Sequence, residues 1–178
     1  GIVCLTACLA GEVQRKIMEG NDTGSIALAN QLNEIFHKED FYLEIMRHGI
    51  GDQLFVDDQI LRISKETGIK VVATNDTHYL EQKDADAHEA FMCIAMNKLY
   101  DDPNRLRHSV HEFYLKSQEQ IYKLYADIPE AIEATLEIAD KCNLTIKLGN
   151  PTPPNFKFTR DKLKELNIEI PEPQNEYS

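Results

Sequence analysis

The period of the apolar positions changes several times along the chain, and each change predicts an element. Ile2–Cys8 is a short apolar run ending at Gly11, the pattern of a strand buried on both faces. Val13, Ile17 and Met18 predict a short helix closing at Gly20. A longer helix follows from about Ser25, with Leu28, Leu32, Ile35 and Phe36 on one face. Phe41–Met46, bounded by Asp40 and a His48-Gly49 turn, predicts a second strand. From Asp52 a helix carries Val56, Ile60 and Ile63 together and stops at Gly68, a natural position just past a helix end. Ile69–Thr74, rich in β-branched residues, predicts a third strand.

Weaker signals follow. An acidic helix start at Asp84 and Asp86 places Ala87, Phe91 and Ile94 on one face, and Asp101-Asp102-Pro103 marks a turn. Phe113–Leu115 reads as a short strand. Ser117-Gln118-Glu119-Gln120 has the spacing of a capping box, and a last helix from near Pro129 groups Ile132, Leu136 and Ala139. Strands alternating with helices predict an α/β fold with mainly parallel strands, in an open sheet or a closed barrel. Five of the seven prolines (Pro151, Pro153, Pro154, Pro171 and Pro173) come after Gly149. Residues 1–149 are therefore read as the folded part and 150–178 as an irregular, proline-rich linker, with one or two helical turns over Arg160–Leu166.

Composition narrows the function classes. A chain of 178 residues can bury a real core without disulfides. Its four cysteines, Cys4, Cys8, Cys93 and Cys142, lack framework spacing, which places it in a reducing cytoplasm. The formal net charge of −11 excludes a module whose main task is gripping phosphate backbones, since such proteins carry a basic stripe. Arg105, Arg107 and His108 form only a small basic cluster. No apolar run approaches the ~20 residues of a membrane span, so no membrane partner is expected. The chain opens at Gly1 inside a strand pattern, the expectation for a piece of a longer protein.

Parallel α/β folds put chemistry where strands end and loops begin. The three strand ends here offer Cys8, then His48, then Asp76 and His78: a thiol, two imidazoles and a carboxylate, the donors that hold zinc or manganese. Asp76 and His78 stand two apart, so in extended backbone they point to one side. Each has a plainer reading as well. Cys8 reads equally as a small buried hydrophobe, His48 as a turn residue, and Asp76 with His78 as local caps. His37 and His111 read as solvated, and His88 as a surface partner of Asp84 one helical turn earlier. The eight glycines form no phosphate-binding loop. A Cys8–His78 nucleophile pair lacks a third orienting group. No catalytic residue is assigned.

Several longer segments are distinctive. Leu5-Thr6-Ala7-Cys8-Leu9-Ala10-Gly11-Glu12, Phe41-Tyr42-Leu43-Glu44, Arg47-His48-Gly49 and Ala73-Thr74-Asn75-Asp76-Thr77-His78-Tyr79 resemble, in order, the bacterial replicative DNA polymerase III alpha-subunit family. So do Asp86-Ala87-His88-Glu89, Glu112-Phe113-Tyr114-Leu115-Lys116-Ser117 and Ile128-Pro129-Glu130-Ala131. The resemblance is to the C-terminal part of that family's N-terminal PHP (polymerase and histidinol phosphatase) domain. It implies the back half of a distorted (β/α)7 barrel whose strand ends hold divalent metals, zinc or manganese, with ligands mapping onto Cys8, His48, Asp76 and His78. The family's opening His-x-His motif, and the Asp, His and Glu ligands soon after it, have no counterpart here, so the implied site is incomplete. The polymerase carboxylates would lie beyond the tail.

The resemblance further implies a DNA-directed DNA polymerase as the parent. Within it this segment would supply part of a metal-dependent phosphoesterase or exonuclease-like site. The alternatives are a non-catalytic scaffold that docks a proofreading exonuclease subunit, and a free-standing phosphatase of the same superfamily. Implied partners are that exonuclease subunit and other replicase subunits, with DNA contacted mainly by other domains. An unpaired edge at Ile2–Cys8 also predicts self-association of the fragment.

Overall fold

The structure is a computed structural model that describes residues 1–149 and Leu166. It separates into two units, Gly1–Asn143 and Leu144–Ser178. The linker assigned to 150–178 lies outside the described residues except at Leu166. The first unit contains three strands and six helices: β1 (Cys4–Leu5), α1 (Glu12–Met18), α2 (Asp22–Ile35), β2 (Phe41–Met46), α3 (Gly51–Thr67), β3 (Val71–Thr74), α4 (Ala85–Ala95), α5 (Gln118–Leu124) and α6 (Pro129–Lys141). A single 3-10 turn, Gln82–Asp84, leads into α4.

The sheet has the order β1-β2-β3, and both pairings are parallel. Cys4 lies beside Phe41, and Leu43 to Met46 run beside Val71 to Thr74. β2 is central and almost wholly buried, which explains its unbroken apolar run. Phe41, Leu43 and Ile45 enter the main core with Val13, Ile17, Ile60, Ile63 and Ala131, while Tyr42 joins Val72 and Ala134 in a smaller cluster. Alternate side chains thus serve two layers. α3 ends at Gly68, whose φ of +74° is the left-handed conformation glycine adopts most readily, and its N–H closes on the Ser64 carbonyl at 2.8 Å.

Several sequence expectations change in detail, and Met18 and Ile35, placed on the apolar faces of α1 and α2, are exposed. The strand expected over Ile2–Cys8 pairs only at Cys4 and Leu5 and is a half-buried edge, with Ile2 exposed. It ends early because Ala7 turns to φ +66° and the Thr6 hydroxyl accepts the Glu44 N–H at 2.8 Å. α4 leaves Phe91 and Ile94 exposed and instead buries Ala85, Glu89 and Cys93. That face carries one carboxylate because Glu89 binds the buried Arg105 guanidinium at 2.6 Å, a partner that lies beyond the helix and is invisible to periodicity. α6 buries Ala131, Ile132 and Ala134, whereas Leu136 and Ala139 face outward. Phe113–Leu115 is reduced to an isolated parallel bridge between Tyr79 and Tyr114.

Candidate metal centre

Because the three strands are parallel, the loops after Leu5, Met46 and Thr74 open at one end of the sheet. Glu44 ties these ends together. Its carboxylate accepts the Ala7 N–H at 2.8 Å and the Thr74 hydroxyl at 2.6 Å, so one side chain on β2 touches both neighbouring strand ends. Gln14 of α1 adds a donor, its amide reaching the Thr6 hydroxyl at 2.8 Å and the Ala7 carbonyl at 3.0 Å. Gly11 begins α1 under tight constraint: a Cβ there would lie 2.1 Å from the Thr6 carbonyl oxygen. Sequence reasoning did not single out Glu44 or Gln14. The available signal was a lone carboxylate inside the otherwise apolar Phe41–Met46 run.

His48 is buried at 1% exposure, and its ring is fully engaged. Nε2 lies 2.8 Å from the Asn75 carbonyl, which only accepts, so Nε2 carries the proton. Nδ1 then accepts from the Gln53 amide at 2.9 Å. The ring also stacks on Phe113, with centroids 4.3 Å apart. No lone pair on His48 is left for a metal. Cys8 is half-buried and lines a cavity of about 10 Å³ with Glu44, Gln14 and Gln53, room for one water at most.

Asp76 and His78 form a separate pair. Asp76 has a φ of +45°, a strained value for a side-chain-bearing residue. That turn lets the His78 Nδ1–H donate to the Asp76 carbonyl at 2.6 Å, and the Asp76 carboxylate stands 3.9 Å from the same nitrogen. Phe113 touches both imidazoles, stacked on His48 and edge-on to His78 with a centroid separation of 5.1 Å. The four expected residues therefore share one end of the sheet without converging on a common point. Among the described residues, no three Cys, His, Asp or Glu side chains have donor atoms placed to hold one ion. Tested on His48, this arrangement does not fit a metal bound by all four.

Two further histidines do join His78. His88, on α4, and His108 stand beside it, and His108 also packs on Phe113 with centroids 4.6 Å apart. His88 thus does not pair with Asp84, which instead accepts the Glu81 N–H at the start of the 3-10 turn. Burial, with His78 and His88 nearby, pushes the His108 imidazole below its ordinary value and keeps it neutral at pH 7. His37 and His111 are exposed, as expected.

Arg47, immediately before His48, fixes that turn. Its guanidinium binds Asp57 of α3 at 2.8 Å, both Asp127 oxygens at 2.7 and 3.0 Å, and the Leu124 carbonyl at 2.9 Å. Its backbone N–H donates to the buried Tyr125 hydroxyl at 3.0 Å. Burial pushes the Asp57 carboxyl upward despite that guanidinium.

A family model described as PHP domain matches residues 1–48. The DNA polymerase III subunit alpha of Campylobacter jejuni is 56% identical over 100% of this chain, and that of Helicobacter pylori 51% identical over 90%. The Escherichia coli K12 subunit is 35% identical over 88% of the chain. The chain resembles the PHP-bearing segment of the bacterial DNA polymerase III alpha subunit. It spans only 16%, 14% and 13% of the lengths of these three relatives. The α/β fold with a parallel sheet agrees with that resemblance. Among the described residues no helix is long and apolar enough to cross a membrane.

Proposed function

We propose that the protein carrying this chain is the cytoplasmic catalytic subunit of a DNA-directed DNA polymerase, and that this segment serves it as a folded scaffold. In this reading the three parallel strands are the back half of a distorted (β/α)7 barrel. The barrel supports the polymerase region and docks a separate proofreading exonuclease subunit, while other domains hold the DNA. The observation that carries the reading is the state of His48, whose two ring nitrogens are both spent on its own chain. The net charge of −11 also suits contact with protein more than with a phosphate backbone.

The second reading is a metal-dependent phosphoesterase site on Cys8, His48, Asp76 and His78, binding zinc or manganese, which requires His48 to give up its hydrogen bonds to Gln53 and Asn75. The shared strand end and the Asp76–His78 pair favour it. The purified chain separates the two readings. A scaffold shows neither nucleotide incorporation nor phosphoester hydrolysis with zinc or manganese, and co-sediments with the exonuclease subunit. Robust hydrolysis that disappears in Asp76→Ala would overturn the scaffold in favour of the enzyme.

A further inference from the structure

α4 carries its apolar side outward. Its inward residues are Ala85, Glu89 and Cys93, with Glu89 held in place by Arg105. Its outward residues are Ala87, Ala90, Phe91, Ile94 and Ala95, all exposed. These five follow the i, i+3, i+4, i+7, i+8 spacing of a helix face that packs on a core. Phe91 and Ile94 each leave more than two-thirds of their surface bare. No charged side chain falls within the stripe, and Asp86 lies beside it. Leu99 and Tyr100, just past the left-handed cap at Asn97, are exposed as well. Apart from the 3-10 turn that leads into it, α4 packs closely on no other element among the described residues.

Single apolar side chains on a surface are ordinary, but a contiguous apolar stripe marks a contact. The kind of contact follows from the absence of charge. Surfaces that meet and part stay about as polar as the rest of a protein, because they must also stand alone in water. Permanent interfaces are more apolar and resemble a core cut in half. The α4 stripe is of the second kind. The same polypeptide can supply such a cover, since this chain spans only 16% of the length of its Campylobacter jejuni relative. Shape adds a constraint. Alanines at 87, 90 and 95 leave shallow holes around Phe91 and Ile94, so the covering face must offer aliphatic knobs and no charge.

We propose that the outward face of α4 is where the polymerase region of the same polypeptide packs, through an uncharged face of large aliphatic side chains. The proposal rests on the scaffold reading and gives it a surface. The cover stays on Phe91 and Ile94, while the Glu89–Arg105 pair fixes the helix beneath it.

The test uses the full-length protein that carries this chain, with the photo-crosslinker benzoylphenylalanine in place of Ala90. Illumination should give a product at the mass of one polypeptide, with the linked peptide lying beyond residue 178. A product at twice that mass, a link to residues before Gly1 or within the chain, or no product overturns the proposal. A link to an added exonuclease subunit overturns it too, while leaving the scaffold reading in place. Ile94→Lys gives a second measurement that needs no crosslinker. It should leave the melting temperature of the separate 178-residue chain unchanged, because that side chain already meets water. In the full-length protein it should lower the melting temperature, because a charge enters an apolar contact. An equal shift in both proteins, or none in either, overturns the proposal. Phosphoester hydrolysis by the purified chain tests the scaffold reading independently of these results.

Discussion

Replacing Arg47 with alanine tests how the His48 turn is held. The guanidinium makes two ion pairs of very different worth. Asp127 has a 62% exposed side chain, and an exposed pair contributes about 0–1 kcal/mol. Asp57 is 5% exposed and Arg47 15%, so removing the arginine strands a buried carboxylate. Breaking a buried pair in this way costs about 3–5 kcal/mol. The Asp57 term dominates, and at ~2–4 °C per kcal/mol for a chain of this size the melting temperature should fall by about 6–20 °C. Arg47→Ala combined with Asp57→Asn should recover about 2 kcal/mol, since an unpaired amide costs less to bury than an unpaired charge.

The pH dependence has a definite sign. Burial already raises the Asp57 carboxyl above its unfolded value, and loss of Arg47 raises it further. A raised carboxyl contributes its stability at low pH and loses it as pH rises through the folded value. The Arg47→Ala deficit should therefore shrink as pH falls from 7 through the raised Asp57 value, and the double variant should lack that slope. Urea denaturation across this range measures both effects. A loss below ~1 kcal/mol, or no recovery on adding Asp57→Asn, would refute the assignment of the cost to Asp57.

Two further outcomes are expected. Tyr125→Phe removes the acceptor of the Arg47 N–H and should destabilise by about 1–3 kcal/mol in chemical denaturation, with the urea slope unchanged. Glu137, held down to about 2 by Lys70, Tyr42 and Lys141, contributes stability above its ordinary value of 4.5 that is lost as pH falls toward 2. Because it is 35% exposed the effect should stay near ~1 kcal/mol, and Glu137→Gln should flatten the acid limb of the stability curve.

The alternation of strands and helices, the parallel strand direction and some helix ends were legible because they follow from local pattern. Phe41–Met46 matches its strand to the residue, and Gly68 ends α3 as its position implied. The capping box at Ser117 and Gln120 is formed in both directions. What sequence could not convey was which partner a polar residue finds. Glu89 faces inward because Arg105, sixteen positions away, is there to meet it. His48 was read as a ligand or a turn residue, and its commitment to Gln53 and Asn75 depends on the first turn of α3 and on the loop after β3. His88 and His108 lie twenty positions apart, so no spacing rule links them.

The carboxylate of Glu44 has a consequence for how the chain opens. A strand of two paired residues at a sheet edge would ordinarily fray, exchanging its amides on a short timescale while the rest stays closed. Here the amide just beyond that strand is anchored to the central strand, and the same carboxylate holds the hydroxyl at the end of the third. The start of the chain therefore cannot detach without disturbing the middle of the sheet. What looks like the loosest part of the molecule is enrolled in its most cooperative unit.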